Sequence, residues 1–323
     1  MNHWLLRRGA DALITALVAA IALVVLVHLL PGDPLTALVG DKGATPEQLA
    51  ALTARWGTDR PLPTKVLDYF TALARGDLGY SMTRGIPVGT VLLERIGPTL
   101  LLGSLTLLVD FTLGLALGLW AALHPESWRA RALGALSILG YAVPSFVAGM
   151  LLVWLFGIKL PWLPVAGYRN VLLPVDADAG AIFVDRVRHL VLPLTAMVIA
   201  TIAVPLRQQR AAALAVVNAP WVRAARARGV SPAAVAWRHC WRPALTPIVT
   251  LFGLWLPMLV AGAVFIEGLF GWPGLGSLIA EATQARDVPL VMGAGLLLVV
   301  AVQVGALVAD ILYRVVDPAQ RHP

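Results

Sequence analysis

The sequence predicts an all-α integral membrane protein with six transmembrane helices, and three observations carry that reading. Of its 323 residues, 59% are hydrophobic and 13% charged, with a mean hydropathy of +0.79. Soluble domains run about 45–50% apolar and about 25% charged. Five runs, 12–30, 132–158, 190–206, 244–266 and 288–309, contain no Asp, Glu, Lys or Arg, and 97–123 contains only Asp110. Each is close to the roughly 17–25 residues a helix needs to cross a bilayer core, with 190–206 at the short limit. Helices are expected because lipid leaves an open backbone unsatisfied, and barrel strands would alternate polar and apolar residues.

The N-terminal run resembles a signal peptide but is too long for one, and its Ala20-Ile21-Ala22 cleavage candidate lies inside the apolar stretch. A retained first span over 1–30 is therefore expected. The loop 31–96 carries helix punctuation. Thr45, Pro46 and Gln48 form a capping-box start that Gly57 ends, and Thr64 and Gly76 bracket a second helix. A third short helix, "IPVGTVLLERIG", runs toward span two. Between spans three and four, "PVDADAG" reads as an acidic turn. After span five, five residues (Gly268, Gly271, Pro273, Gly274 and Gly276) fall within nine positions, a density that demands tight turning rather than a spanning helix. The last span is followed by a tail, 317–323.

Basic residues orient these spans. With the N-terminus inside, thirteen of the 25 Lys and Arg residues fall in inner segments, against Asp11, Glu126, Asp310 and Asp317 as acids. The other twelve are spread over about twice the length among thirteen acids. The positive-inside rule then places both termini in the cytoplasm. The net charge of +7 is this topological bias and not a nucleic-acid footprint, because the arginines are divided among short loops.

Engines are missing. None of the lysines, Lys42, Lys65 and Lys159, follows a glycine, so no phosphate-binding Gly-Lys-Ser/Thr loop exists. There is no HExxH, no GxSxG and no metal-spaced Cys/His cluster, and the lone Cys240 permits no internal disulfide. No catalytic residue, metal site or cofactor is expected on this chain. Ionisable residues inside spans are functional suspects by default. Asp110 could line a substrate path or hydrogen-bond across a helix interface, and the structural role is favoured. Asp310, at the inner end of span six, fits a structural pair with a loop arginine. One mid-span acid with no chain of partners is thin material for an ion-coupled carrier acting alone.

The inner loop 207–243 contains "WVRAARARGVSPAAVAWRHCWRPALTP". "VRAARARG" makes two helical turns stopped by Gly229, and "SPAAVAWRHCW" restarts with Ser231 as N-cap and Pro232 at the first helical position. Ala224, Ala225 and Ala227 keep the first helix slim, while Arg223, Arg226 and Arg228 could pair with partner acids or lipid phosphate. Trp237 and Trp241 form an aromatic ridge suited to a membrane interface. Composition alone does not decide between a lipid anchor and a partner contact.

This stretch resembles the cytoplasmic coupling loop of type I ABC importer permeases. It is closest to the dipeptide/oligopeptide/nickel subfamily, whose loop runs R-x-A-R-A-[KR]-G, nine residues, then H-x-L-R and A-L-x-P. Gly229 and His239 fall at the expected spacing, while Trp241 replaces the usual Leu. Further matches follow in order: "HLLPGDPL", "WGTDRPLPTKVLDYFTALARGDLGYSMTRGIPVGTVLLERIGPTLLLG", "VPSFVAGMLL", "IEGLFGWPGLGSLI" and "VADILYRVVDP".

The resemblance implies the type I importer fold, with an extracytoplasmic helical loop over 31–96 and a transmembrane domain over 97–316. It implies a prokaryotic inner-membrane permease subunit that is not an enzyme. Its expected partners are a second homologous permease, two ATPases that hold ATP and Mg, and an extracytoplasmic binding protein. Coupling to the ATPase falls to Arg223, Ala224, Ala225, Arg226, Ala227, Arg228 and Gly229, supported by Arg238 and His239. Phe270, Gly271, Trp272, Pro273, Gly274 and Gly276 are expected at the outer gate or the binding-protein dock. Small peptides are the expected cargo, with nickel or a metal chelate as alternatives. A self-contained ion-coupled transporter is the alternative from another class.

Overall fold

The structure, a computed structural model, describes residues 2–29, 45–56, 60–174, 176–255 and 263–316. Helix α1 spans Asn2–Leu29. Helix α2, Pro46–Trp56, opens with the expected capping box: the Thr45 N–H donates to Gln48 Oε1 at 3.1 Å and the Gln48 N–H donates to Thr45 Oγ1 at 3.3 Å. Its expected stop at Gly57, and the outer-loop segment 30–44, lie outside the described residues. Helix α3, Leu62–Ala74, starts before Thr64, with Pro61 at the cap, so Thr64 lies inside the first turn and is not the N-cap. Pro63 is tolerated there because the first turn has no acceptor for its missing N–H.

Helix α4, Val88–Leu123, fuses the expected short helix with span two and carries Pro98 internally. Helix α5, Trp128–Ala142, and helix α6, Ser145–Leu152 with its π-helical continuation Val153–Lys159, share the third apolar run but meet at 102°. The run is therefore built as two helices with a sharp bend between them. Pro144 disfavours helical geometry at Val143, which is extended at φ −84°, ψ 123°.

Helix α7, Ala179–Thr201, begins well before the fourth apolar run, and the Asp178 carboxylate caps it by accepting from the Ala181 N–H at 2.9 Å. What reads as an acidic turn is thus a helix start. Helix α8, Ala203–Val217, follows after a 43° bend. Pro205 explains that bend: its ring clashes with the carbonyl four residues back, on Thr201, and supplies no N–H to it. Much of the inner loop is therefore helix as far as Val217.

Helix α9, Pro220–Ala227, and helix α10, Pro232–Ala234, follow; α10 widens into a π turn over Val235–Trp241. Helices α11, Arg242–Ala244, and α12, Thr246–Trp255, begin the fifth run, whose portion 256–262 lies outside the described residues. Helices α13, Val264–Leu269, α14, Leu275–Gln284, and α15, Val288–Val316, complete the described chain. Among the described residues there is no strand. Among the described residues, three helices are long and apolar enough to cross a membrane, and the two bent pairs raise that number to five if each is one span.

The chain divides into two compact units, 1–97 with 274–303 and 98–273 with 304–323. In the first, α1 packs on α3, and glycines let α15 approach its neighbours. A Cβ on Gly293 would lie 2.5 Å from Val88 Cγ1, and one on Gly295 would lie 2.6 Å from Leu23 Cδ1. The buried Asp287, just ahead of α15, accepts hydrogen bonds from the Ser81 and Thr83 hydroxyls and the Thr83 N–H. Burial alone would raise its pKa, but these donors outweigh burial and hold the carboxyl below its ordinary value.

In the second unit, α4 and the α7–α8 pair run parallel in register. Thr106 lies beside Met197, and a Cβ on Gly114 would sit 3.3 Å from Pro205 Cγ. One turn further along α4, a Cβ on Gly118 would come within 2.4 Å of the Leu206 carbonyl oxygen. Small residues at this spacing permit backbone contact between membrane helices, where close packing replaces the hydrophobic driving force.

Candidate functional site

Helix α9 is anchored by two side chains. Val222 is buried in a cluster with Leu119, Ala213, Val235 and Cys240, and Ala225, one turn on, is buried as well. Burial pushes the Cys240 thiol pKa up, against a pull downward from Arg226. The other faces of α9 carry Trp221, Arg223, Ala224, Arg226 and Ala227, all exposed, as are Arg228 and Gly229 beyond its end. Of the residues expected to couple to an ATPase, Ala225 alone on this helix is buried, so it can hold the helix down but cannot touch a partner. Arg238 is exposed and His239 half-buried on the π turn.

The end of α9 is built by its own backbone. The Gly229 N–H donates to the Arg226 carbonyl at 3.0 Å, and the Val230 N–H donates to the Ala225 carbonyl at 3.2 Å. This is a Schellman closure, which requires a left-handed residue at Gly229, whose φ is +77°. A Cβ there would meet nothing within 4 Å, so the glycine is demanded by conformation and not by space. Two residues on, the Ser231 hydroxyl accepts from the Ala234 N–H at 3.3 Å and starts the next helix. The result is a short rigid rod, held from beneath, with cations on its open face.

The glycine-rich stretch after α13 is the opposite kind of surface. Phe270, Trp272, Gly274 and Gly276 are buried, Pro273 is half-buried and only Gly271 is exposed. Within the second unit, the Trp272 indole N–H donates to the Pro98 carbonyl at 3.0 Å and its ring meets Tyr168 edge to face at 4.8 Å. The fully buried Glu267 accepts from the Thr99 hydroxyl at 2.8 Å, and the Gly167 N–H donates to the Phe270 carbonyl at 2.7 Å. Most residues expected at an outer gate or dock are therefore packing residues in this structure. Sequence reading passed over Glu267 and Thr99. A lone acid at the edge of an apolar run was the available signal.

Asp110 is fully buried where α4 meets the end of α7, with Thr201 beside it. The Thr201 hydroxyl donates to the Met197 carbonyl at 2.7 Å. Asp310 is half-buried on α15. A separate cavity of about 510 Å³ opens between α5 and α8, with Tyr141, Arg207, Gln208 and Arg210 among its lining residues. Asp110 does not line it. Among the described residues no His, Cys, Asp and Glu cluster could hold a metal ion.

Comparison with known proteins gives these features a family. Residues 114–322 match the family described as "Binding-protein-dependent transport system inner membrane component", and residues 1–102 match its N-terminal companion. The chain is 37% identical over 309 residues to the di/tripeptide transport system permease protein DppB of Pseudomonas aeruginosa (strain UCBPP-PA14), covering 92% of each. It is 33% identical over 338 residues to the dipeptide transport system permease protein DppB of Escherichia coli (strain K12), covering 100% of this chain and 99% of that one. It is also 32% identical over 322 residues to the glutathione transport system permease protein GsiC of Salmonella choleraesuis (strain SC-B67), with both chains fully covered.

Among solved structures, a chain of the inward-facing MetNI methionine ABC transporter aligns with a TM-score of 0.53 at 17% identity. The match covers 70% of this chain and 96% of that one, and it speaks to the fold. An all-helical chain with long apolar helices, matched end to end by these relatives, is a multi-pass inner-membrane transport subunit. It belongs to the binding-protein-dependent transport system inner membrane component family, as a type I ABC importer permease of the dipeptide/oligopeptide subfamily.

Proposed function

We propose that this permease forms half of the path by which small peptides cross the inner membrane, and that α9 is where a separate ATPase drives it. The relatives named above carry peptides or glutathione, itself a peptide, in their names, which supports peptide cargo. The observation that carries the coupling role is the division of α9 into two faces. Val222 and Ala225 fasten it to the membrane unit, while Arg223, Arg226 and Arg228 stay exposed. A helix fastened on one side and charged on the other transmits force only if something acidic grips its open face.

The full assembly pairs this chain with a second homologous permease, as a heterodimer. Two ATPases hold ATP and Mg, and a binding protein delivers cargo from outside. The arginine distribution puts both termini and α9 in the cytoplasm. The chain is then organised as a first span over 1–30, an extracytoplasmic helical loop over 31–96, a transmembrane domain over 97–316 and a tail over 317–323. Arg238 and His239 support the grip from the π turn, and the exposed Gly271 is the part of the outer turn offered to the binding protein. Asp110 acts as an interhelical group and not as a carrier site, in keeping with its place between α4 and α7.

Co-purification tests this assignment. A tagged chain should bring down a second permease and an ATPase, and the charge reversal R223E/R226E/R228E should release the ATPase while keeping the second permease. Dipeptide uptake into proteoliposomes should require ATP and the binding protein. Uptake driven by an ion gradient without ATP would establish the self-contained carrier instead.

A further inference from the structure

We infer that the cavity between α5 and α8 is a binding site for the carboxylate end of a small peptide, a role that rests on the peptide reading above. One face of α8 lines it, with Ala203, Arg207, Arg210 and Leu214 at helical three- and four-residue spacing, and the exposed Tyr141 of α5 borders the open side. At about 510 Å³, its size falls within the roughly 300–1,000 Å³ usual for small-molecule sites.

Its charge is one-sided. Two arginines line it and no acidic residue does. Among the described residues neither arginine forms an ion pair, and the Nε of Arg210 is buried without an acceptor. Arg210 also lies against α5: a Cβ on Gly134 would be in ordinary contact with its Nη1, at 3.5 Å. Arg207 is exposed and needs no partner, but the buried Arg210 Nε at the edge of a low-dielectric bundle is costly to leave without an acceptor. The planar fork of arginine fits a carboxylate or phosphate in two-point contact.

The rest of the lining favours a carboxylate on a small amphiphile. Gln208 and Tyr141 offer neutral polar groups, while Ala203 and Leu214 provide an apolar wall for a side chain. Every peptide ends in a carboxylate whatever its side chains, so recognition at that end tolerates varied cargo. The site also lies on the helix that precedes α9, with only Asn218 and Ala219 between the two.

The test uses the purified transporter, this chain with its second permease and ATPases, in the absence of the binding protein. Radiolabelled dialanine and its C-terminal amide are compared by equilibrium dialysis. The wild type should bind the free acid at least about tenfold more tightly than the amide, the scale set by losing hydrogen bonds to a charged group. R207Q/R210Q should lose that preference, and R207K/R210K should keep part of it. If the glutamine variant fails to assemble, L214W fills the cavity without touching either charge and should lower dialanine binding to a similar extent.

Equal wild-type binding of acid and amide, or unchanged preference in R207Q/R210Q, would overturn the site. So would phosphatidylglycerol that co-purifies with wild type and not with R207Q/R210Q while dialanine binding stays the same, since the arginines would then serve a lipid phosphate. Dialanine uptake by cells carrying the wild type checks the peptide reading separately. Uptake with no carboxylate preference sinks the site alone, and no uptake sinks the reading.

Discussion

Helices α9 and α13 end in the same way and face opposite circumstances. In each, a left-handed glycine, Gly229 at φ +77° or Gly271 at φ +58°, lets its own N–H and the next one fold back onto the last turn. A Cβ on Gly229 would meet nothing within 4 Å, and the neighbouring arginines are exposed. On either side of Gly271, Phe270 and Trp272 are buried to about 1% exposure. One closure is used to present a helix and the other to fold a turn into a core. The same backbone chemistry therefore says nothing about role, and what packs around it says a great deal.

This contrast can be broken or sharpened by substitution, from the largest effect to the smallest. Trp272→Ala removes the packed side of the comparison. It should cost about 3–5 kcal/mol, seen as a sharp drop in half-denaturation temperature in detergent and in the amount of protein reaching the membrane. Gly229→Val strains the presented side without a clash or a cavity, at about 1–3 kcal/mol. The variant should still reach the membrane at near wild-type levels and yet abolish uptake; normal uptake would sink the coupling role of α9.

A third helix end tests the role of chemistry alone. At the end of α14, Arg286 takes the glycine position at φ 53°, and the same two hydrogen bonds deliver Asp287 to Ser81 and Thr83. The Asp287 carboxyl is held below its ordinary value in the fold. Its stabilisation is therefore complete above the ordinary carboxylate range, about pH 4, and is lost as pH falls through the lower folded value. Wild type should lose thermal stability more steeply than Asp287→Asn between about pH 4 and 3, and the two curves should converge at the acid end. Arg286→Gly relieves the left-handed strain and should raise stability by no more than about 1 kcal/mol, because glycine also loosens the unfolded chain.

Local signals were legible in the sequence wherever one short segment contains both partners. Thr45 with Gln48, the stop at Gly76, the closure at Gly229 and the Ser231 cap all depend on residues within a few positions, and the structure builds each as read. Thr64 misled because Pro61 and Pro63 start α3 earlier than a hydroxyl would. Charge-free runs marked the apolar helices, but hydropathy has no term for direction, so the 102° turn before Pro144 and the bend before Pro205 went unread. The buried state of Ala225, Phe270 and Trp272 depends on distant helices, as does the approach of Arg210 to Gly134 of α5. No window along the chain could reveal those.

Pro205 leaves the structure with a crank. Helix α8 is 15 residues long, about 22 Å at 1.5 Å per residue, and it runs from the proline bend to the foot of α9. A change of about 5° at the bend would carry α9 through about 2 Å at that radius. Asp110 and the Gly114–Gly118 face of α4 bear against the pivot end. A push on α9 would thus become a small rotation deep in the bundle, with the proline as its axle.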